Sequence, residues 1–322
     1  MPAERPSVVV LGGGFLGVPI ARALLHAGWA VTVVTRASRF TRAGPLLAGC
    51  QVVFGDVRDA ALLDTAVARA DHVVYAVGSA SPAESEADPA ADLVRVVPPL
   101  VQLLERLRLR PGTAVTFLSS GGAVYGNGTA APVSERSETA PISSYGIIKL
   151  TCERYVAMYR SVQGVDGRVL RIGNVYGPGQ RTGRGQGLVA HLLEATVTGA
   201  TVPLYGRATS VRDYIHVDDV ADAVAASCGL AGAPEVLNVG TGVGRTVDDV
   251  LRCVEAVTGV AVATRELPPR PFDVAGIVLD ITALQSLVGF APRTLEAGIG
   301  ATWAPDAASR ATRGHADTGR AS

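Results

Sequence analysis

Several common assignments are excluded by what the 322-residue chain lacks. Its four cysteines, Cys50, Cys152, Cys228 and Cys253, are scattered with no close pair. That rules out a zinc-ribbon pattern and predicts reduced thiols in a cytoplasmic protein. The five histidines are equally dispersed, so no metal site is expected. No apolar run is long enough to span a bilayer, and a strand pattern begins by Ser7 with no signal-peptide layout before it. Lys and Arg total 29, Asp and Glu total 29, and the net charge is +0. Nothing in that balance draws the chain to nucleic acid or to an anionic membrane, so neither is expected as a partner, and any anion must be bound by local features. No internal repeat is visible. What is present, at 48% hydrophobic and 18% charged, is enough to bury a large core in one big domain or two medium ones.

Ser7-Val8-Val9-Val10-Leu11 is a continuous apolar run, the pattern of a strand buried on both faces of a parallel sheet. Gly12-Gly13-Gly14-Phe15-Leu16-Gly17 follows at once, then an apolar helix pattern to about Ala27 and a second strand at 30–34. Strand, Gly-x-Gly-x-x-Gly, helix, strand is the context in which the glycines mean dinucleotide binding. Gly12 allows a tight turn, Gly14 lets backbone approach a pyrophosphate, and Gly17 lets helix pack on strand. Phe15 and Leu16 complete the turn. The pyrophosphate would sit on the helix N-terminus, where free N–H groups favour an anion. The second strand ends in Thr35, Arg36, Ala37, Ser38 and Arg39, with no carboxylate for a ribose 2′-hydroxyl and two guanidiniums for a 2′-phosphate. NADP(H) is therefore expected, with NAD(H) as the alternative. A third strand, 52–57, ends in Gly55-Asp56-Val57, where Asp56 can accept from the adenine amino group.

A helix near 59–69 and a fourth strand at 72–77 come next. The stretch 79–89, rich in Ala, Ser, Pro and acid, reads as a surface loop, and 91–107 has helical periodicity. The fifth strand, 114–118, runs into Ser119-Ser120-Gly121-Gly122-Ala123-Val124-Tyr125-Gly126. Alternation at these lengths predicts an α/β fold with a doubly wound parallel sheet, whose ligands bind beyond the carboxyl ends of the strands. Ser119 and Ser120 then face the same crevice as the glycine turn. Tyr145-Gly146-Ile147-Ile148-Lys149 opens a helix, and residues four apart share a helix face, so a phenol and an ammonium stand side by side. A nearby cation favours tyrosinate, and a phenol so tuned can exchange a proton with an alcohol oxygen. Later stretches include a strand at 168–172 followed by Gly173-Asn174-Val175-Tyr176-Gly177-Pro178-Gly179-Gln180, a helix at 188–198, and Val211-Arg212-Asp213-Tyr214-Ile215-His216-Val217-Asp218-Asp219-Val220. Residues 305–322 lack apolar residues to bury and are expected to be disordered.

Together with Arg270-Pro271-Phe272-Asp273 and Leu279-Asp280-Ile281, these stretches resemble the extended short-chain dehydrogenases/reductases. More narrowly, they resemble the nucleotide-sugar branch that contains UDP-glucose 4-epimerases and NDP-4-keto-6-deoxyhexose 4-ketoreductases. The resemblance implies an NAD(P)-binding Rossmann domain over 1–175. It implies a smaller α/β domain over 176–304 that binds mainly the NDP-sugar, with some segments returning to the Rossmann sheet. It implies that Tyr145 is the acid/base at the sugar C4 oxygen and that Lys149 binds the nicotinamide ribose. It implies that Asn174 lies near the sugar diphosphate and that Arg212 and Arg270 clamp it. The family's usual separation from Tyr145 implies Ser120 as the third catalytic residue, whereas its usual place three residues before Val124 holds Gly121. The position where many relatives carry an asparagine near the nicotinamide holds Val96.

Two outcomes share this machinery. A 4-ketoreductase consumes NADPH once on an NDP-4-keto-6-deoxyhexose, and Arg36 favours it. A 4-epimerase holds NAD tightly and returns the hydride to the other face, and the overall likeness favours that. The first is the expectation, the second its alternative, and a non-catalytic NADP-binding redox sensor is the remote third. A homodimer through a four-helix interface containing the Tyr145 helix is also implied; Val156 and Met158 among its apolar positions suit that interface and equally suit burial in the monomer.

Overall fold

The computed structural model describes residues 5–38, 44–78, 82–127, 132–182, 187–207, 210–230 and 232–303. Arg39 and the tail from 304 onward lie outside these residues. The apolar runs form strands β1 (Ser7–Leu11), β2 (Ala30–Thr35), β3 (Gln51–Phe54), β4 (His72–Tyr75), β5 (Ala114–Ser120) and β6 (Gly167–Ile172). After β7 (Asn174–Tyr176), β8 (Val202–Tyr205) and β9 (Val211–His216), strand β10 (Val236–Val239) returns to pair with β6. The seven-stranded sheet runs β3-β2-β1-β4-β5-β6-β10, parallel throughout. Strands β11 (Gly244–Thr246) and β12 (Thr264–Leu267) pair with β9 and β8.

The crossovers are helices α1 (Gly17–His26), α2 (Ala60–Ala66), α3 (Pro82–Ala87), α4 (Pro89–Leu107), α5 (Gly121–Val124) and α6 (Ser144–Gln163). Helices α7 (Leu188–Thr198), α8 (Val217–Ser227), α9 (Val247–Thr258) and α10 (Thr282–Val288) follow. Alternate strand residues face opposite sides. Val8 and Val10 pack with Leu24 of α1 and Val220 and Val224 of α8. Val9 and Leu11 pack with Leu100 and Leu104 of α4 and Ile148, Cys152 and Val156 of α6. Sheet and flanking helices thus make the doubly wound architecture expected from the sequence. A further cluster joins α7, α9 and β8 through Val189, Leu192, Leu204 and Val254.

The structure differs from the sequence pattern at one stretch and decides between two alternatives at Val156. The stretch 79–89 contains α3, and α4 starts at Pro89, two residues before the periodic segment. Pro82 and Pro89 stand in first turns, where a missing N–H costs nothing, and Asp88 caps α4 by accepting from Ala91 N at 3.0 Å. Val156 is buried in the core and presents nothing outward, because it follows Cys152 by one turn on the inward face of α6; Met158 is exposed. No helix among the described residues is long and apolar enough to cross a membrane, and no group of three His, Cys, Asp or Glu among them could hold a metal.

Candidate active site

A cleft of about 750 Å³ opens at the carboxyl ends of the strands. It brings together Gly12, Gly14, Phe15, Leu16, Arg36, Asp56, Val57, Ser120, Tyr145, Lys149, Asn174, Arg212 and Arg270. Gly17 does not line it and packs beneath the turn. The strand order reverses between β1 and β4, and the cleft lies at that switch point.

The three glycines of the turn do different work. Gly12 has φ +114°, and a Cβ there would stand 2.8 Å from the Ala76 carbonyl oxygen on the neighbouring β4 side. A Cβ at Gly17 would overlap the Gly12 carbonyl oxygen itself. Around Gly14 there is open space, so nothing shields its backbone from the cleft. Helix α1 begins at Gly17 with no side-chain cap; Val18 N is taken by the Gly14 carbonyl oxygen at 3.2 Å and Pro19 has no N–H, so the helix offers the cleft the positive end of its dipole through the turn residues Gly14, Phe15 and Leu16 that line it. Open backbone at Gly14 above an uncapped helix is a cradle that fits a pyrophosphate.

At the far side of the turn, Thr35 is buried and Arg36 lines the cleft. Asp56 does not stand free for an adenine amino group. Arg58 grips it with Nε to Oδ1 at 2.9 Å and Nη2 to Oδ2 at 2.7 Å, and holds its carboxyl down to about 2. Arg58 was not singled out from the sequence; the Asp-x-Arg spacing after β3 is the signal that could have found it.

At the centre of the cleft, α6 carries Tyr145 and Lys149. Its N-terminus is set by Ser143, whose Oγ accepts from Gly146 N at 3.1 Å. A Cβ at Gly146 would lie 2.8 Å from the Ala123 carbonyl oxygen, so glycine lets α6 approach the segment after β5. Lys149 donates from Nζ to the Leu118 carbonyl oxygen at 2.8 Å and sits beneath the Tyr145 ring, 5.8 Å from its centre. Both serines ending β5 line the cleft, but Ser119 is buried and gives its hydroxyl to Glu153 at 2.5 Å, which leaves Ser120 as the one whose hydroxyl is not taken by Glu153. A Cβ at Gly121 would meet Leu279 at 2.8 Å and the Arg171 carbonyl oxygen at 3.1 Å, so a hydroxyl-bearing side chain has no room there. Val96 is fully buried and its carbonyl accepts from the Tyr75 hydroxyl; its neighbour Arg95 lines the cleft instead.

Asn174, Arg212 and Arg270 also line the cleft; the Asn174 side chain lies beside Gly122, where an added Cβ would stand 2.8 Å from its Oδ1. Arg212 donates to the carbonyl oxygens of Val211 at 3.0 Å and Ala275 at 3.2 Å. It pairs with neither aspartate near it in sequence. Asp213 is buried and accepts from Thr241, Gly242 and Leu279, while Asp218 faces His216 and Arg293. Arg270 is paired to Asp273 at 2.7 Å and lies over the rings of Tyr205 (4.8 Å) and Phe272 (5.0 Å), two aromatics the sequence reading did not single out as site residues.

A model of the NAD dependent epimerase/dehydratase family matches residues 8–240. A UDP-glucose 4-epimerase of Azospirillum brasilense is 33% identical over 311 residues, covering 90% of this chain and 88% of its own. The UDP-glucose 4-epimerase of Thermus thermophilus, solved as a complex with NAD, superposes with a TM-score of 0.85 at 34% identity, covering 92% of this chain and 98% of its own. That of Thermotoga maritima, solved with UDP-glucose, gives a TM-score of 0.85 at 31% identity over 94% and 99%. This cleft therefore sits in an enzyme of the extended short-chain dehydrogenase/reductase fold, and the chain belongs to the NAD-dependent epimerase/dehydratase family.

Proposed function

We propose that the protein is a nucleotide-sugar 4-epimerase acting on a UDP-hexose with NAD held in the cleft. The observation that carries this reading is one cleft lined at once by the glycine turn, by Tyr145, Lys149 and Ser120, and by Arg212 and Arg270. Its close relatives are named for that reaction. The 4-ketoreductase expected from the sequence becomes the second reading, supported by Arg36 at the end of β2.

Gly14 and the N-terminus of α1 would hold the cofactor pyrophosphate, with Arg36, Asp56 and Val57 around the adenosine. When bound, the nicotinamide supplies a hydride acceptor for the sugar carbinol. Tyr145, acting as the phenolate, would take the C4 hydroxyl proton as the hydride leaves and, as the phenol, later return it. Lys149, fixed on Leu118, keeps a positive charge beside Tyr145 through both transfers and would hold the nicotinamide ribose. Ser120 donates to the same sugar oxygen. Arg212 and Arg270 grip the sugar diphosphate with Asn174 close by, a role suited to a planar fork; for Arg270 this loosens its pairing with Asp273. In this reading residues 1–175 serve the dinucleotide and 176–304 mainly the sugar nucleotide. The exposed apolar side chains Leu93 and Val94 on α4 and Ile147, Met158 and Val162 on α6 support a homodimer through these two helices.

The deciding experiment is to identify the nucleotide that co-purifies and to assay UDP-galactose. Bound NAD with reversible conversion to UDP-glucose is expected. A site that takes up only added NADPH and spends it once on a 4-keto sugar would replace this reading with the reductase. Cofactor binding with no turnover, equal in Tyr145→Phe, would leave only the sensor.

A further inference from the structure

Behind the cleft lies a buried polar cluster that the proposed chemistry does not use. Glu153, Arg171 and Ser119 are 4%, 6% and 5% exposed. The Glu153 carboxylate accepts the Ser119 hydroxyl at 2.5 Å and is forked by Arg171, whose Nη2 reaches Oε2 at 2.7 Å and whose Nε reaches both oxygens at 3.1 and 3.2 Å. The other arm of Arg171 donates to the Tyr125 hydroxyl at 2.9 Å, and that hydroxyl donates to Asn238 Oδ1 at 2.7 Å. The Asn238 amide then donates to the carbonyl oxygens of Val133 at 2.9 Å and Asp280 at 3.1 Å. The carboxylate is thus held from β5, from β6 and, through Tyr125, from β10.

Glu153 is four residues after Lys149 and eight after Tyr145, so all three lie along one face of α6. Lys149 is tied to Leu118 and Glu153 to Ser119. Two successive turns of the helix are therefore fastened to two successive residues of β5. Together these ties fix both the rotation of α6 and its slide along the strand. The same face one turn nearer the N-terminus carries Tyr145, and Ser120, the residue after Ser119, lines the cleft together with it. Engaging Ser119 with Glu153 also leaves Ser120 as the hydroxyl offered to a substrate.

We infer that Glu153 is a positioning residue for the reaction: through Ser119 it sets the approach of the Tyr145 helix to Ser120. The inference rests on the epimerase reading. It predicts an effect on the chemical step and not on binding, because the cofactor cradle and both arginines lie elsewhere in the cleft. A displacement of about 1 Å at reacting groups costs up to about a hundredfold in rate.

The test uses the full chain and three variants, Ser119→Ala, Glu153→Gln and the double variant, assayed for UDP-galactose conversion with thermal unfolding in parallel. Ser119→Ala is the variant least able to disturb folding, because it removes one oxygen. Each single variant should lower kcat by between about ten- and a hundredfold with KM within about twofold. The unfolding midpoint of Ser119→Ala should stay close to that of the parent. The double variant should lose no more than Glu153→Gln alone, since both act through one tie. An active parent beside a Ser119→Ala variant with unchanged kcat, a rise in KM at constant kcat, or additive losses overturns the inference alone. A parent inactive on every UDP-hexose overturns the epimerase reading and this inference with it.

Discussion

The ammonium of Lys149 donates to the Leu118 carbonyl oxygen across 2.8 Å and lies 5.8 Å from the centre of the Tyr145 ring. The lysine is 5% exposed and also stands 5.0 Å from the Phe117 ring centre. A charge so buried persists only with partners, and here they hold it where the phenol exchanges its proton. Tyr145→Phe should lower kcat by about 10²–10⁴-fold with cofactor binding retained. Lys149→Met should match that loss and weaken the cofactor as well. Initial rates with UDP-galactose beside cofactor titrations separate the two; a Tyr145→Phe variant as fast as the parent would remove Tyr145 from the chemistry.

The glycine turn predicts a split between stability and binding. At Gly17 a methyl group would strike the Gly12 carbonyl, so Gly17→Ala should overpack the turn, at a cost of about 1–3 kcal/mol or more, and lose dinucleotide. At Gly14 there is open space, so Gly14→Ala should unfold at nearly the parental temperature yet bind dinucleotide at least about tenfold more weakly, because the methyl enters the pyrophosphate approach. Calorimetric unfolding with and without NAD gives both numbers. Equal NAD affinity in Gly14→Ala would move the pyrophosphate elsewhere.

Much of this architecture was legible because buried parallel strands carry uninterrupted apolar runs. Val8 to Leu11 and His72 to Tyr75 needed only their own residues to be recognised. The glycine turn and the Tyr145–Lys149 pair were legible because their spacing is local. What escaped is what depends on distant segments. Ser119 and Ser120 are indistinguishable in sequence; they differ because Glu153, 34 residues on, takes one of them. Asp56 looked free until Arg58 folded back onto it. Helix α3 was hidden by prolines that begin helices as readily as they break them.

Arg36 bears on the proposed choice of cofactor. It lines the cleft at the end of β2, beside a buried Thr35 in place of a carboxylate. A guanidinium there accommodates a 2′-phosphate and offers no acceptor to a 2′-hydroxyl. Arg36→Ala should therefore weaken NADPH by at least about tenfold more than NADH, as charge-assisted contacts contribute about 1.5–3 kcal/mol. Fluorescence titration of both cofactors measures the ratio. Equal losses would leave the reductase reading without its one support and the NAD epimerase unopposed.

Two histidines make stability fall with acid. His72 on β4 is buried, shares a 2.8 Å hydrogen bond with Thr116 Oγ1, and is pushed down to about 4 from an ordinary 6.5 by burial, with Arg168 adding to the effect. His216 is likewise pushed to about 4, by burial first and then by Arg293. In each case the unfolded chain takes up a proton that the folded one refuses between about pH 6.5 and 4. The stability present above that window is lost as pH falls through it. A shift of this size corresponds to about 3 kcal/mol per histidine when the window has been crossed completely. Urea unfolding at pH 7 and pH 5 should show the loss, and His72→Gln, which keeps a partner for Thr116 but cannot take up a proton, should show a smaller one. An identical pH dependence in parent and His72→Gln would mean that the acid sensitivity arises elsewhere in the fold.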